Sequence, residues 1–227
     1  MKKNLQIIFI FLIIAVSATA QDLIRFYQNA KVGYKDQNGN IIVQPKYEAG
    51  SDFFDGLALV LENRMRGFIN NKGEVVIPFI YSDASVFKEG LARVGKGGKH
   101  GYINKKNETV IPFEYDIADD FINGIARVSK NGKFGFINKE GKEVIPLQYK
   151  NAYNFSEGLA PVMKDKFGFI DVTGKEILPF EYENAQQFRD GLALVSKDGK
   201  SFFIDKKGKK IKDLENHEEE EIRMQKH

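Results

Sequence analysis

From Lys31 to Lys212, short apolar runs alternate with clusters of Gly, Asn, Asp and Lys. One stretch shows the unit. The pattern predicts a strand over Lys133–Asn138, a turn at Lys139-Glu140-Gly141, and a second strand from Lys142 that ends at Pro146. An irregular crossing then runs from Leu147 to Glu157, and Gly158–Met163 forms a third strand. Apolar runs of this length, bounded by turn formers, are strand and hairpin signals. No window places apolar residues at helical spacing over a useful length. The unit recurs: Gly33, Gly67, Gly101, Gly135 and Gly168 follow one another at intervals of 34, 34, 34 and 33 residues. A fixed period of this size marks one supersecondary unit copied along the chain.

Aligning the copies sorts their positions into roles. The first turn carries Gly39, Gly73, Gly141, Gly174 and Gly208, with Asn107 in the third copy. Asn is the residue that best replaces Gly at positive φ, so this slot is expected to be left-handed backbone. Pro45, Pro78, Pro112, Pro146 and Pro179 share another slot, where the missing N–H is expected to close strand pairing. Next come Tyr47, Tyr81, Tyr115, Tyr149 and Tyr182, then Phe53, Phe87, Phe121, Phe155 and Phe188. These rings are read as plugs between neighbouring copies, each removing on the order of 150–250 Å² from water. A row of exposed rings that stack on sugars or bases is the alternative.

Grouping the third strand of one copy with the first two of the next gives about six three-stranded antiparallel meanders. They begin near Leu23, Leu57, Leu91, Ile125, Leu159 and Leu192. One such meander is too small to hold a core alone, but a stack of them buries a continuous one. The fold class is therefore all-β, a tandem repeat array. An open superhelical array is favoured, because the unit shows no closure device; a closed, propeller-like ring is the alternative.

The slots together resemble the WG-repeat (KWG-repeat) proteins of bacteria. Their unit looks like K-W-G-Y/F-I-D-x-x-G-x-x-V-I-P-x-x-Y-x-x-A-x-x-F-x-x-G-L-A-x-V. Lys99 to Val128, Lys133 to Val162 and Lys166 to Val195 follow it closely, and copies start near residues 31, 65, 99, 133, 166 and 200. The departures are that the chain has no Trp, and Phe202 replaces the glycine in the last copy. The slot before the glycine holds Val32, Arg66, His100, Phe134, Phe167 and Ser201. The resemblance implies a β-rich repeat scaffold and supplies no catalytic residues.

The ends differ from the repeats. Lys2 and Lys3 precede an apolar run from Ile7 to Val16, then Ser17-Ala18-Thr19-Ala20. This is the build of a secretory signal peptide over residues 1–20, cleaved after Ala20. The run is about half the roughly 20 residues a spanning helix needs. Residues 21–212 form the repeat domain, and 213–227, with Glu218-Glu219-Glu220-Glu221, a charged tail. The mature chain is thus expected to be periplasmic or extracellular, with no transmembrane segment. It has no Cys for a disulfide or a lipid. Net charge is +3 before cleavage removes two lysines; without a strongly basic face, nucleic acid is not expected as a partner.

Chemistry is sparse. There is no Cys and no G-x-S-x-G elbow, and of His100, His217 and His227 two lie in the tail. Asp36-Gln37-Asn38-Gly39 starts like a calcium loop but has no closing acid where one is needed, so a plain turn is expected. No metal, cofactor or catalytic residue is expected. What remains is surface variation on a constant frame: Arg66, His100, Phe134 and Phe167 in the pre-glycine slot, and Tyr153, Asp119 and Asp120 in the crossings. Repeat scaffolds bind through such positions; drift at solvent positions is the bland alternative. The expected function is an exported non-catalytic module that binds a protein, a peptide or an envelope glycan. The alternatives are a structural component of the envelope that self-associates, and a glycan hydrolase using Asp119 and Asp120.

Overall fold

The computed structural model describes residues 23–213. They form 23 strands and no helix, arranged as six antiparallel sheets. Sheet 1 has three strands, β1 (Ile24–Gln28), β2 (Lys31–Lys35) and β3 (Ile41–Tyr47). Sheet 2 has four, β4 (Ala49–Phe54), β5 (Leu57–Glu62), β6 (Met65–Asn70) and β7 (Val75–Tyr81). Sheets 3 to 6 repeat that order over residues 83–115, 117–149, 151–182 and 184–213. The segment expected to be a signal peptide lies outside the described residues, as does the tail from residue 214. Asp213, expected in the tail, ends the last strand.

The fourth strand is a correction to the three-stranded expectation. In sheet 5 the crossing is not irregular throughout: Asn151 and Ala152 pair with Met163 and Val162. The same two-residue pairing occurs at Asp83–Ala84, Ile117–Ala118 and Asn184–Ala185. A chain crossing a sheet edge must satisfy its own N–H and C=O groups, and two residues are too few to show alternation.

Proline does not end its strand. Pro78 lies inside β7, which runs on to Tyr81. Arg66 pairs with Tyr81 and Phe68 with Ile77, so Gly67 alone faces Pro78, Phe79 and Ile80. This bulge bends β7 over β6, and a Cβ on Gly67 would lie 2.7 Å from the Ile77 carbonyl oxygen. Proline is tolerated at bulges and on edge strands, and β7 is both. Sheet 6 supplies the control: Phe202 fills the glycine slot, no proline stands opposite, and Phe202 and Phe203 pair in step with Asp213 and Lys212. Sheet 6 keeps only the second shift, between Phe203 and Ile204; the bulge at the glycine slot is absent where glycine and proline are absent.

The following turn is fixed by its first residue. Side-chain oxygens of Asp36, Asn70, Asn104, Asp171 and Asp205 accept the N–H groups two and four residues on. Asn107 has φ 63°, as its place in the glycine slot required. The Asp36 segment is such a turn: Asp36 also accepts from the Asn40 side-chain amide at 2.8 Å.

The core lies between sheets. Each consecutive pair of sheets shares one apolar cluster among the described residues. The recurrent tyrosines are all buried, from Tyr47 at 0% exposed to Tyr115 at 4%. The recurrent phenylalanines meet the ring that follows the repeat glycine in the preceding sheet. Tyr34–Phe53, Phe68–Phe87, Tyr102–Phe121, Phe136–Phe155 and Phe169–Phe188 have centroids 5.5, 4.9, 4.8, 4.7 and 5.1 Å apart. The rings are inter-sheet plugs, not a stacking surface.

The two ends carry lysines in core slots. Ile69, Ile103, Ile137, Ile170 and Ile204 are buried on the face each sheet turns to its predecessor; in sheet 1 that slot is Lys35, its ammonium 5.9 Å from the Phe26 ring. Val43, Ile77, Ile111, Ile145 and Leu178 are buried on the opposite face; in sheet 6 that slot is Lys212, 4.9 Å from the Phe203 ring. No cluster of described residues joins sheet 6 to sheet 1. Polar terminal faces are what a repeat array needs to stay soluble at its ends.

Candidate functional site

In the first five copies the pre-glycine residue pairs with the tyrosine that ends the third long strand: Val32 with Tyr47, Arg66 with Tyr81, His100 with Tyr115, Phe134 with Tyr149 and Phe167 with Tyr182. The variable slot therefore runs along one edge of successive sheets, beside the chain that crosses to the next. The crossing engages it. Arg66 donates to the Ser82 carbonyl and lies 3.9 Å from Asp83. His100 Nε2 is 3.6 Å from Asp83, and Nδ1 is 3.2 Å from the Asp116 carbonyl oxygen. Arg93 pairs with Asp83 as well. Thus Arg66, Arg93 and His100 gather on one carboxylate that the sequence did not single out. Phe134 lies under the Arg127 guanidinium at 5.5 Å. Phe167 sits 6.0 Å from Tyr153 and is only 5% exposed, so it is a core residue more than a surface one.

Asp119 and Asp120 do not act as a pair. Asp119 is bound by Arg127 Nε at 2.7 Å and by the Asn154 amide at 2.8 Å, while Asp120 pairs with Lys88 at 3.0 Å. Tyr102 donates to the Asp119 carbonyl at 2.6 Å, and burial pushes its phenol well above the usual range, which keeps it a neutral donor. Arg127 and Asn154 also border a cavity of about 250 Å³ between sheets 4 and 5, walled by Ile122, Phe136, Phe155 and Val172. Among the described residues no group of three or more His, Cys, Asp or Glu is placed to hold a metal ion, and no helix is long and apolar enough to cross a membrane.

At the opposite edge the chain clasps itself. The hairpin turns Asp55-Gly56, Glu89-Gly90, Asn123-Gly124, Glu157-Gly158 and Asp190-Gly191 have positive φ at both residues. The acid of one turn accepts N–H groups of the next. Asp55 takes Gly90 at 3.0 Å; Glu89 takes Asn123 at 2.7 Å and Gly124 at 2.9 Å; Glu157 takes Gly191 at 3.1 Å. Lysines of the adjoining sheet bind the same turns: Lys105 to the Asp55 carbonyl, Lys139 to that of Glu89 at 3.3 Å and Lys206 to that of Glu157 at 3.0 Å. Sequence reasoning passed over this row, although acid and lysine recur at the repeat period.

Several carboxyls are held below their ordinary values. For Asp83, burial opposes ionisation, but the Arg93 hydrogen bond and the charges of Arg93, Arg66 and His100 outweigh it. The Lys99 hydrogen bond lowers Asp116, and that of Lys206 lowers Glu157. A depressed carboxyl binds fewer protons in the folded chain than in the unfolded one at acid pH. Its contribution is complete above the unfolded range, about pH 4, and disappears as pH falls through the folded values. The melting temperature is therefore expected to be level from about pH 7 to 5 and to drop below about pH 4; a calorimetric series across that range checks it.

The fold has relatives among solved structures. The chain resembles a crystal structure of a eukaryotic initiation factor with TM-score 0.54 and 10% identity, over 86% of this chain and 62% of that one. It thus spans less than two thirds of that structure, and the likeness bears on the fold alone. Kluyveromyces lactis Hsv2 aligns with TM-score 0.49 and 8% identity, over 82% of this chain and 72% of that one. A protein of unknown function from Bacteroides caccae aligns at 0.31 and 14%, over 86% and 93%. No curated protein matches the sequence. The family model for the WG containing repeat matches five successive segments, residues 33–64, 67–99, 101–134, 134–166 and 167–200. With the glycine bulge, the plug rings and the turn residues of that unit all in place, this chain belongs to the WG containing repeat family.

Proposed function

We propose that the chain is an exported, non-catalytic binding module that recognises a protein or peptide, with an envelope glycan as the other ligand class. The supporting observation is the edge that carries Arg66, His100 and Phe134. Side chains of different chemistry occupy one equivalent position in successive sheets, while the frame beneath them stays constant. The acidic candidates for hydrolysis are each neutralised by a separate cation, which weighs against a carboxylate pair. The lysines at both end faces weigh against stacking of copies end to end, the route by which an envelope scaffold of this chain would grow. A broad screen of secreted proteins, peptides and envelope polymers tests the module. Saturable binding is expected, weakened roughly tenfold or more in the variant Arg66→Ala/His100→Ala, the scale of one lost charge-assisted hydrogen bond. Silence across the screen, or binding indifferent to both residues and to Phe134→Ala, counts against it.

A further inference from the structure

Of the four junctions at which both turns of the clasp are described, one is open. Between sheets 4 and 5 the acid is replaced by neutral Asn123, and the lysine slot, filled by Lys105, Lys139 and Lys206 at the other three junctions, holds Val172. Both charges are lost together at one junction. Gly158 N–H, whose equivalents in Gly90, Gly124 and Gly191 each bind a carboxylate, has no such acceptor among the described residues. The preceding Glu157 N–H stands where Asn123 N–H stands in the bidentate clasp of Glu89. Successive N–H groups of a turn with positive φ form a concavity suited to an anion. The gap opens onto the cavity of about 250 Å³, whose walls include Ile122, Phe136, Phe155 and Val172. Ile122 and Val172 are 53% and 47% exposed, apolar surface that no described residue covers.

From this geometry we infer that the notch between sheets 4 and 5 binds an acidic peptide segment from a partner protein: its Asp or Glu carboxylate occupies the Glu157–Gly158 turn, and a neighbouring apolar side chain enters the cavity. The chain supplies its own template, because Glu89 seats a glutamate carboxylate on the equivalent turn at 2.7 and 2.9 Å. The apolar walls favour a peptide side chain over a uronic acid, whose hydroxyls would lose water against Ile122 and Val172 without a return bond. Glu157 does not repel the ligand from the turn, since its carboxylate is turned to the next junction, where it binds Gly191 N–H and Lys206. Arg127 lies at the polar end of the cavity, already partnered by Asp119, and orients Asn154 through that carboxylate.

The inference rests on the reading of the chain as a binding module, but it uses the opposite edge from Arg66 and His100, so the two fail separately. The probes are the capped tripeptide acetyl-Leu-Glu-Leu-amide, its Gln counterpart and a tri-glucuronate. The Glu peptide is expected to bind and to shift the Gly158 amide resonance, with the Gln peptide about tenfold or more weaker. Asn123→Glu/Val172→Lys restores the clasp from the chain itself. Glu already occupies the same φ at Glu89 (52°) and Glu157 (51°), so the variant is expected to fold, to melt no lower than wild type, and to bind the peptide at least about tenfold more weakly. Arg66→Ala/His100→Ala is expected to leave this binding unchanged. An unmoved Gly158 resonance, equal binding of the Glu and Gln peptides, undiminished binding by the restored-clasp variant, or preference for the tri-glucuronate overturns the inference.

Discussion

Replacing Phe68 by Ala is expected to cost about 3–5 kcal/mol, the range for removing a fully buried phenylalanine ring. Phe68 is 0% exposed and belongs to the cluster that joins sheets 2 and 3, with Leu57, Ile77 and Tyr81 on its own side and Val94 and Ile103 opposite. Its ring meets Phe87 edge-on at 4.9 Å, so the deletion empties one side of that contact too. Among the described residues each apolar cluster joins just two consecutive sheets, so the loss falls on one junction of the array and is not shared out across a common core. The melting temperature should drop by about 6–20 °C, at roughly 2–4 °C per kcal/mol for a domain this size. Val76→Ala, in the same sheet but 40% exposed, should change stability by less than about 0.5 kcal/mol. Parallel thermal melts decide the matter. Similar values for the two variants would mean that the junctions between sheets do not carry the stability of this fold.

The repeat made most of this architecture legible. A period of 34 with invariant Pro, Tyr and Phe slots predicts the number of sheets, their antiparallel order and the burial of Tyr81 and Phe87. What stayed hidden has physical reasons. Phe68 as the ring partner of Phe87 is invisible locally, because the contact crosses between sheets and lies 19 residues apart in sequence. The two-residue strand at Asn151–Ala152 is too short for alternation to mark it, and its recurrent alanine, shared with Ala84, Ala118 and Ala185, fits a packed crossing as well as a strand. The bulge was misread as a strand end, since proline signals an unpaired N–H in either case.

The candidate site was legible only in part. Arg66 and His100 stand out because their slot varies, yet Asp83, which draws them together, sits at a crossing position held by Ile117, Asn151 and Asn184 in the later copies, so no acid marks it. The clasp could have been found. Aligned by copy, the residue before the turn glycine reads Asp55, Glu89, Asn123, Glu157 and Asp190, and its lysine partner fails at Val172 in the same register. The sign was not a motif but a pair of exceptions at one junction. Because the acceptors' partners are backbone N–H groups one copy further on, neither exception has meaning until the copies are laid side by side.

Gly135→Ala is expected to be the costliest small change in the chain, about 2–3 kcal/mol, as overpacking against fixed atoms usually is. A Cβ at Gly135 would meet the Ile145 carbonyl oxygen at 2.6 Å, the Pro146 carbonyl oxygen at 2.7 Å and the Leu147 nitrogen at 2.8 Å. All three are backbone atoms of the bulged strand, so no side-chain rotation relieves the clash. Gly56 is glycine for another reason: its φ is 82°, and no atom lies within 4 Å of where a Cβ would stand. Alanine there costs about 1–2 kcal/mol through the left-handed backbone alone. Asparagine separates the two causes, because it tolerates positive φ but still carries a Cβ. Gly56→Asn is expected to be close to neutral, whereas Gly135→Asn should destabilise at least as much as Gly135→Ala. Denaturant titrations of the four variants provide the comparison. If asparagine rescued both positions equally, the repeat glycine would be a matter of backbone freedom, and the steric link between glycine, proline and bulge would fall.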